Sequence, residues 1–260
     1  MVEREYIQPM IDAILSVGPF IVENVGHKEL NKKPDGTSVT EIDIEAERRI
    51  MSQLSDAYPD VAILGEESGY DEHNLPVKCW LIDPIDGTSS FICGDKAFTT
   101  MAVLIFDNEA VACIINNPST DELFYAIKDR GAWRNSKKLD LGAVPVPNSA
   151  FVKKSFTEQL HTLLKPVRIS LITPPQGVGY GMAAVASADT AARFNFSGGG
   201  HVHDYATGIL LVEEAGGVVV PLSDNDVSIH SKSFVACHPE IADFVREHRE
   251  SLIAIEKQFS

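Results

Sequence analysis

Residues 80–91 read WLIDPIDGTSSF, and no other dozen in the chain carries as much chemistry. An apolar, strand-like run, Cys79–Ile82, delivers two carboxylates, Asp83 and Asp86, into one tight turn. Pro84, between them, lacks a backbone N–H and has its φ fixed. Gly87 permits a sharp bend, and Thr88 and Ser89 can open a helix as caps. Two acids and the Ile85 carbonyl thus share one side of the turn, and N–H groups suited to a phosphate share the other. Carboxylates plus a carbonyl are hard oxygen ligands, the set that Mg²⁺ prefers. A bare DxxDG would most simply be an acidic strand-to-helix loop. The apolar strand, the full DPIDGT and the aromatic that follows argue against so plain a reading.

The bulk of the chain narrows the function further. Its 260 residues suffice for one large or two small domains with a full core. The 44% hydrophobic and 23% charged residues are those of an ordinary soluble protein. A net charge of −15 argues against a general binder of nucleic-acid polymer, and clustered acids could be offset by cations. No run approaches a membrane span, and MVEREYIQPM is charged too early for a signal peptide. Cys79, Cys93, Cys113 and Cys237 show no CxxC pairing and read as buried, reduced thiols of a cytoplasmic protein. Without a secretory route, the sequon Asn195-Phe196-Ser197 is a chance match.

Upstream, residues 3–30 carry apolar positions at helical spacing, among them Ile7, Met10, Ile11 and Ile14. Asn31–Ser38, NKKPDGTS, reads as a mobile loop. Thr40 then caps a second helix with Asp43 three residues on, and Ile42, Ala46, Ile50 and Leu54 form its apolar face. Val61–Leu64 reads as a strand running into Glu66 and Glu67, which would then point to opposite faces. Downstream, 98–106, 110–116 and 122–127 are β-rich runs separated by turns, with one more strand near 131–135. Pro145, Pro147 and Asn148 mark the best boundary. It divides an N-terminal α+β part with an antiparallel-rich sheet, 1–145, from a C-terminal α/β part, 146–260. In the second part we expect a helix at 157–164, a strand at 167–172, a glycine turn at Gly177, Gly179 and Gly181, and a helix from Met182. A helix over 203–215 closed by Gly216-Gly217, strands at 218–222 and 233–237, and a final helix over 239–259 complete the expectation.

Four segments place a carboxylate at the edge of a regular element: Asp43, Glu66/Glu67, Asp83 with Asp86, and Asp204. Asp43 and Asp204 taken singly are as well explained as helix caps. Their combination is the signal. DGTSVTEID at 35–43, GEES at 65–68, WLIDPIDGTSSF at 80–91 and HDYATGILLVEEAGG at 203–217 resemble, in order and spacing, the inositol monophosphatase family of Mg²⁺-dependent, Li⁺-sensitive sugar phosphatases. The resemblance implies the layered αβαβα fold of that group. It implies two or three Mg²⁺ per site: Glu66, Asp83 and the Ile85 carbonyl holding the first, Asp83, Asp86 and Asp204 the second, and Glu66 with water a weaker third. It implies that Thr88 and Asp43, with Glu66, activate a water, and that Gly87, Thr88 and Ser89 hold the phosphate. A homodimer is implied by the same resemblance.

The likeness leaves the small phosphorylated metabolite open. Ser197-Gly198-Gly199-Gly200 stands where inositol-specific members carry a Glu on ring hydroxyls. Relatives act on inositol phosphates, fructose 1,6-bisphosphate, histidinol phosphate and 3′(2′),5′-bisphosphate nucleotides. A relative that binds metal or ligand without turnover is the non-enzymatic alternative, weakened because Asp43 and Thr88 are both present. His203 stands where the family has Trp, which suggests a substrate-pocket or packing role. His201-Val202-His203-Asp204 could also be read as a transition-metal pattern. Arg193 could face an anionic substrate group or lie on a surface or interface.

Overall fold

The computed structural model of the chain describes residues 2–27, 30–32, 38–173, 177–196, 200–223 and 226–258. Strands β1 (Leu30–Lys32) and β2 (Ser38–Thr40) pair as an antiparallel ribbon. A seven-stranded sheet comprises β3 (Ala62–Gly65), β4 (Lys78–Asp86), β5 (Thr99–Phe106), β6 (Glu109–Asn117), β7 (Glu122–Ile127), β8 (Gly131–Arg134) and β9 (Lys137–Lys138), in that spatial order. Its first pair is parallel and every other pair antiparallel. A five-stranded sheet is built from β10 (Ser149–Phe151), β11 (Ser170–Ile172), β12 (Ala192–Asn195), β13 (Val218–Pro221) and β14 (Phe234–Cys237), ordered β11-β10-β12-β14-β13. The helices are α1 (Arg4–Glu23), α2 (Glu41–Ser52), α3 (Thr88–Cys93), α4 (Thr157–Leu164), α5 (Val178–Ala186), α6 (Val202–Glu214), α7 (Ala242–Glu247) and α8 (Arg249–Lys257).

Alternation along β4 sets the layers, because successive side chains point to opposite faces. Trp80 and Ile82 pack with Ile7, Met10 and Ile14 of α1 and with Ile42, Ala46 and Ile50 of α2. Cys79 and Leu81, on the other face, pack with Met182 and Val185 of α5 and with Tyr205, Ile209 and Val212 of α6. The same cluster takes in Val219, Phe234 and Ala236 of the smaller sheet, so α5 and α6 are shared between sheets. Beyond it, Val220, Val235 and Cys237 pack against Leu160, Leu164, Val245 and Leu252 of α4, α7 and α8. Helix, sheet, helix, sheet, helix is the αβαβα order expected.

Several elements differ from expectation. Gly179 and Gly181 lie inside α5 rather than in a turn, because the helix needs their missing side chains for close packing. The closing helix is broken at His248, whose ring Nδ1–H donates to the Phe244 carbonyl at 2.8 Å, and a 3₁₀ turn at Pro239–Ile241 precedes it. α1 stops at Glu23, short of residue 30. β10 and β12 have no expected counterpart; each is too short for its periodicity to register. Both ends of the loop expected at 31–38 are strand, since residues 30–32 and 38–40 pair with each other, while residues 33–37 and 197–199 lie outside the described set. Of the four cysteines, Cys79, Cys113 and Cys237 are buried, but Cys93 is exposed; all are free. No helix among the described residues is long and apolar enough to cross a membrane.

Candidate active site

The DPIDGT turn is a β-bulge. Asp83 pairs with Met101 and Asp86 with Thr99, so three steps on β4 face two on β5. In a regular strand, residues three apart point to opposite faces. The extra residue turns Asp86 back toward Asp83's side. Pro84, which has no N–H, lets the Asp83 carboxylate reach over it and accept from the Ile85 N–H at 2.9 Å. The Pro84 carbonyl accepts from the Thr100 hydroxyl at 2.9 Å. Gly87 follows in the left-handed region at φ 86° and is the N-cap of α3, so Thr88 begins the helix itself instead of capping it.

Asp86 is seated by a neighbouring helix. Its two carboxylate oxygens accept the first N–H groups of α5, from Val178 at 2.9 Å and Gly179 at 2.8 Å, and the Thr99 hydroxyl at 3.0 Å. A negative charge is favourable there because those N–H groups have no partner within the helix. Asp204, in the first turn of α6, accepts from the His201 N–H at 2.6 Å. Asp43 closes the expected capping box on α2, accepting from the Thr40 N–H at 2.8 Å and from its hydroxyl. The Thr88 hydroxyl lies 3.5 Å from the other Asp43 oxygen and 3.2 Å from the Ile85 carbonyl.

Glu66 does not extend a strand. β3 stops at Gly65, and Glu66–Ser68 form a turn held by the buried Glu47. The Glu47 carboxylate accepts from the Glu67 N–H at 2.7 Å, the Ser68 N–H at 2.8 Å and the Ser68 hydroxyl. Face alternation therefore does not decide between Glu66 and Glu67; the turn does. A ligand atom each from Glu66, Asp83 and His203 lies within 4.8 Å of the other two, and the same is true of Asp83, Asp86 and Asp204. Asp83 belongs to both groups. Gly87, Thr88 and Ser89 adjoin them in sequence at the start of α3. His203 is 1% exposed, behind the carboxylates, with Nδ1 2.6 Å from the Tyr70 hydroxyl.

So much like charge perturbs the acids. Burial, then Glu66, Asp86 and Asp204, push Asp83 well above the usual carboxylate range. Burial, then Asp204, raise Asp86 to about 6, although its α5 and Thr99 hydrogen bonds pull the other way. Burial raises Asp43, opposed by its Thr40 bonds. Arg193 answers part of this charge. It is buried, not at a surface, and burial pulls its pKa down while Asp86, Tyr205 and Asp204 hold it up. Its Nε and one terminal nitrogen have no hydrogen-bond partner among the described residues. Among the described residues, Glu66, Asp83, Asp86 and Asp204 fall into two overlapping groups whose oxygens converge, with Arg193 as counter-charge, and such oxygens fit divalent cations.

Glu47, Thr99 and Tyr70 escaped the reading of the sequence. Glu47 left a signal: it stands four residues after Asp43 on an otherwise apolar helix face, beside Ala46 and Ile50. Thr99 and Tyr70 left none, since only the folded chain brings them to Asp86 and His203.

The model of the inositol monophosphatase family matches residues 3–254. An inositol monophosphatase of Dictyostelium discoideum is 29% identical over 92% of this chain and 93% of its own. A histidinol-phosphatase of Chlorobaculum parvum is 33% identical over 81% of this chain and 83% of its own. The solved structure of a Thermotoga maritima IMPase superposes with a TM-score of 0.81 at 24% identity, covering 95% of this chain and 97% of that one.

Proposed function

Because the chain belongs to the inositol monophosphatase family, and so to the phosphoric monoester hydrolases, we propose that it is a Mg²⁺-dependent phosphatase of a small phosphorylated metabolite. The observation that carries this reading is Asp83, shared at the end of one strand by two groups of converging ligand atoms, Glu66 and His203 in one and Asp86 and Asp204 in the other. Glu66, Asp83, the Ile85 carbonyl, Asp86 and Asp204 would hold two ions, with a weaker third at Glu66. When bound, Mg²⁺ supplies Lewis-acid neutralisation of the phosphoryl charge and a more acidic water.

The chain's own groups do the rest. Asp43, raised by burial, is a better base than an ordinary carboxylate, and the Thr88 hydroxyl beside it can pass it the proton of the attacking water. The leading N–H groups of α3 and the hydroxyls of Thr88 and Ser89 would seat the phosphate, with Gly87's left-handed backbone letting the chain turn under it. The absence of an acid in Ser197–Gly200 favours a substrate other than an inositol ring, since such a ring would lose a charge-assisted hydrogen bond worth about 1.5–3 kcal/mol. Histidinol phosphate is the second reading, favoured by the relative at 33% identity.

Phosphate release from inositol 1-phosphate, histidinol phosphate, fructose 1,6-bisphosphate and adenosine 3′,5′-bisphosphate, after chelation and after restoring Mg²⁺, tests the proposal. Turnover of at least one substrate that vanishes on chelation and returns with Mg²⁺ is expected. Turnover indifferent to chelation, or none with metal bound, would contradict it.

A further inference from the structure

His203 brings an imidazole into a group of otherwise hard oxygen ligands. Its Nε2 lies 3.4 Å from Glu66 Oε2 and 3.8 Å from Asp204 Oδ1. These separations exceed a good N–H···O bond, which is about 2.7–3.2 Å. The Glu66 separation matches two donors on one ion: ligands about 2.0–2.2 Å from a metal, at right to tetrahedral angles, stand about 2.8–3.6 Å apart. The longer distance to Asp204 leaves that carboxylate outside this group. Behind the ring, Nδ1 is 2.6 Å from the Tyr70 hydroxyl, and the two rings meet edge-on at 5.8 Å. Metal-binding histidines characteristically give their other nitrogen such a partner, which fixes the tautomer and aims the ring. The Thr207 hydroxyl donates to the His203 carbonyl at 2.6 Å, anchoring the backbone as well.

We propose that Glu66, Asp83 and His203 form a mixed nitrogen–oxygen site that takes a first-row transition cation, such as Mn²⁺ or Co²⁺, in preference to Mg²⁺. The inference deepens the proposed reading and rests on it. The neighbouring Asp83, Asp86 and Asp204 site, all oxygen, keeps its preference for Mg²⁺. One residue, Asp83, then joins two unlike ions. Tyr70 is a positioning residue: it meets the far nitrogen of the ring, Nδ1, and acts through the ring.

Metal binding to the full chain, free of substrate, tests this. Pulsed EPR of the Mn²⁺-loaded protein should show hyperfine coupling to a ¹⁴N nucleus, lost in His203→Phe and kept in His201→Gln. In titration calorimetry, His203→Phe should weaken Mn²⁺ by about tenfold or more and leave Mg²⁺ within about threefold. Tyr70→Phe, which keeps the ring ligand, should retain the coupling while weakening Mn²⁺ by about tenfold. Circular dichroism checks that each variant is folded. Should His203→Phe fail to fold, the wild-type coupling and its persistence in His201→Gln and Tyr70→Phe decide. Absence of nitrogen coupling in wild type, its loss in His201→Gln, or an unchanged Mn²⁺-to-Mg²⁺ ratio in folded His203→Phe would overturn this inference alone. Failure of any divalent cation to bind would overturn the proposed function with it.

Discussion

Gly65 decides where Glu47 can go. A Cβ at residue 65 would sit 2.1 Å from the Glu47 carboxyl carbon, far closer than van der Waals contact allows. Gly65→Ala should therefore unseat the carboxylate that holds the Glu66 turn, costing about 2 kcal/mol or more of stability and weakening cation binding. Thermal melts and calorimetry would show both; an unchanged melt would mean that Glu47 is not the organiser. Asp86 offers a second residue-scale test. Its folded value near 6, against an ordinary 3.8, means that the folded, cation-free protein keeps a proton the unfolded chain has lost. The stabilising effect is whole below about pH 4 and is lost as pH rises through about 6, a change of about 3 kcal/mol. Chelated protein should melt higher at about pH 5 than at about pH 7.5, and saturating divalent cation should cancel the difference. A chelated melt that rises with pH across that window would contradict it.

At the scale of elements, β4 and α5 act as a pair. The bulge aims Asp86, and the α5 N-terminus receives it. α5 can come so close because it is rich in small residues: a Cβ on Gly179 would meet Met101, Thr99 and Asp86, and one on Gly181 would fall 2.0 Å from an Arg193 nitrogen. Gly181→Ala should displace Arg193 and destabilise the protein by about 1–3 kcal/mol in chemical denaturation, with no change expected if Arg193 swings aside freely. These elements also show what the amino-acid order reveals and what it hides. The Thr40–Asp43 capping box and the β4 run are local patterns, and both are legible. The α5 glycines read as a turn, because a glycine required by packing and one required by a bend look alike in sequence. Glu66 and Glu67 read as strand residues for want of any local sign that Glu47 would end the strand.

At the scale of the molecule, the two sheets share one helical layer, and that layer carries Asp204 to the end of β4. Each carboxylate was visible as a residue, and the DPIDGT turn drew attention to two of them. Their convergence was visible only through likeness to a family, because nothing local says that 43, 66, 83, 86 and 204 meet. Tyr70 is hidden for the same reason, and so is the burial of Arg193 beside the acids: a buried phenol and a buried charge are explained by partners far away in sequence. Asp83 is the point where all of this joins, since among the described residues it alone belongs to both groups of converging ligands. The most direct test is phosphate release by Asp83→Asn at saturating Mg²⁺, on the best substrate of the wild-type protein, with folding checked by circular dichroism. The account predicts a folded protein whose turnover falls by about three orders of magnitude; a folded Asp83→Asn that keeps wild-type turnover would contradict it.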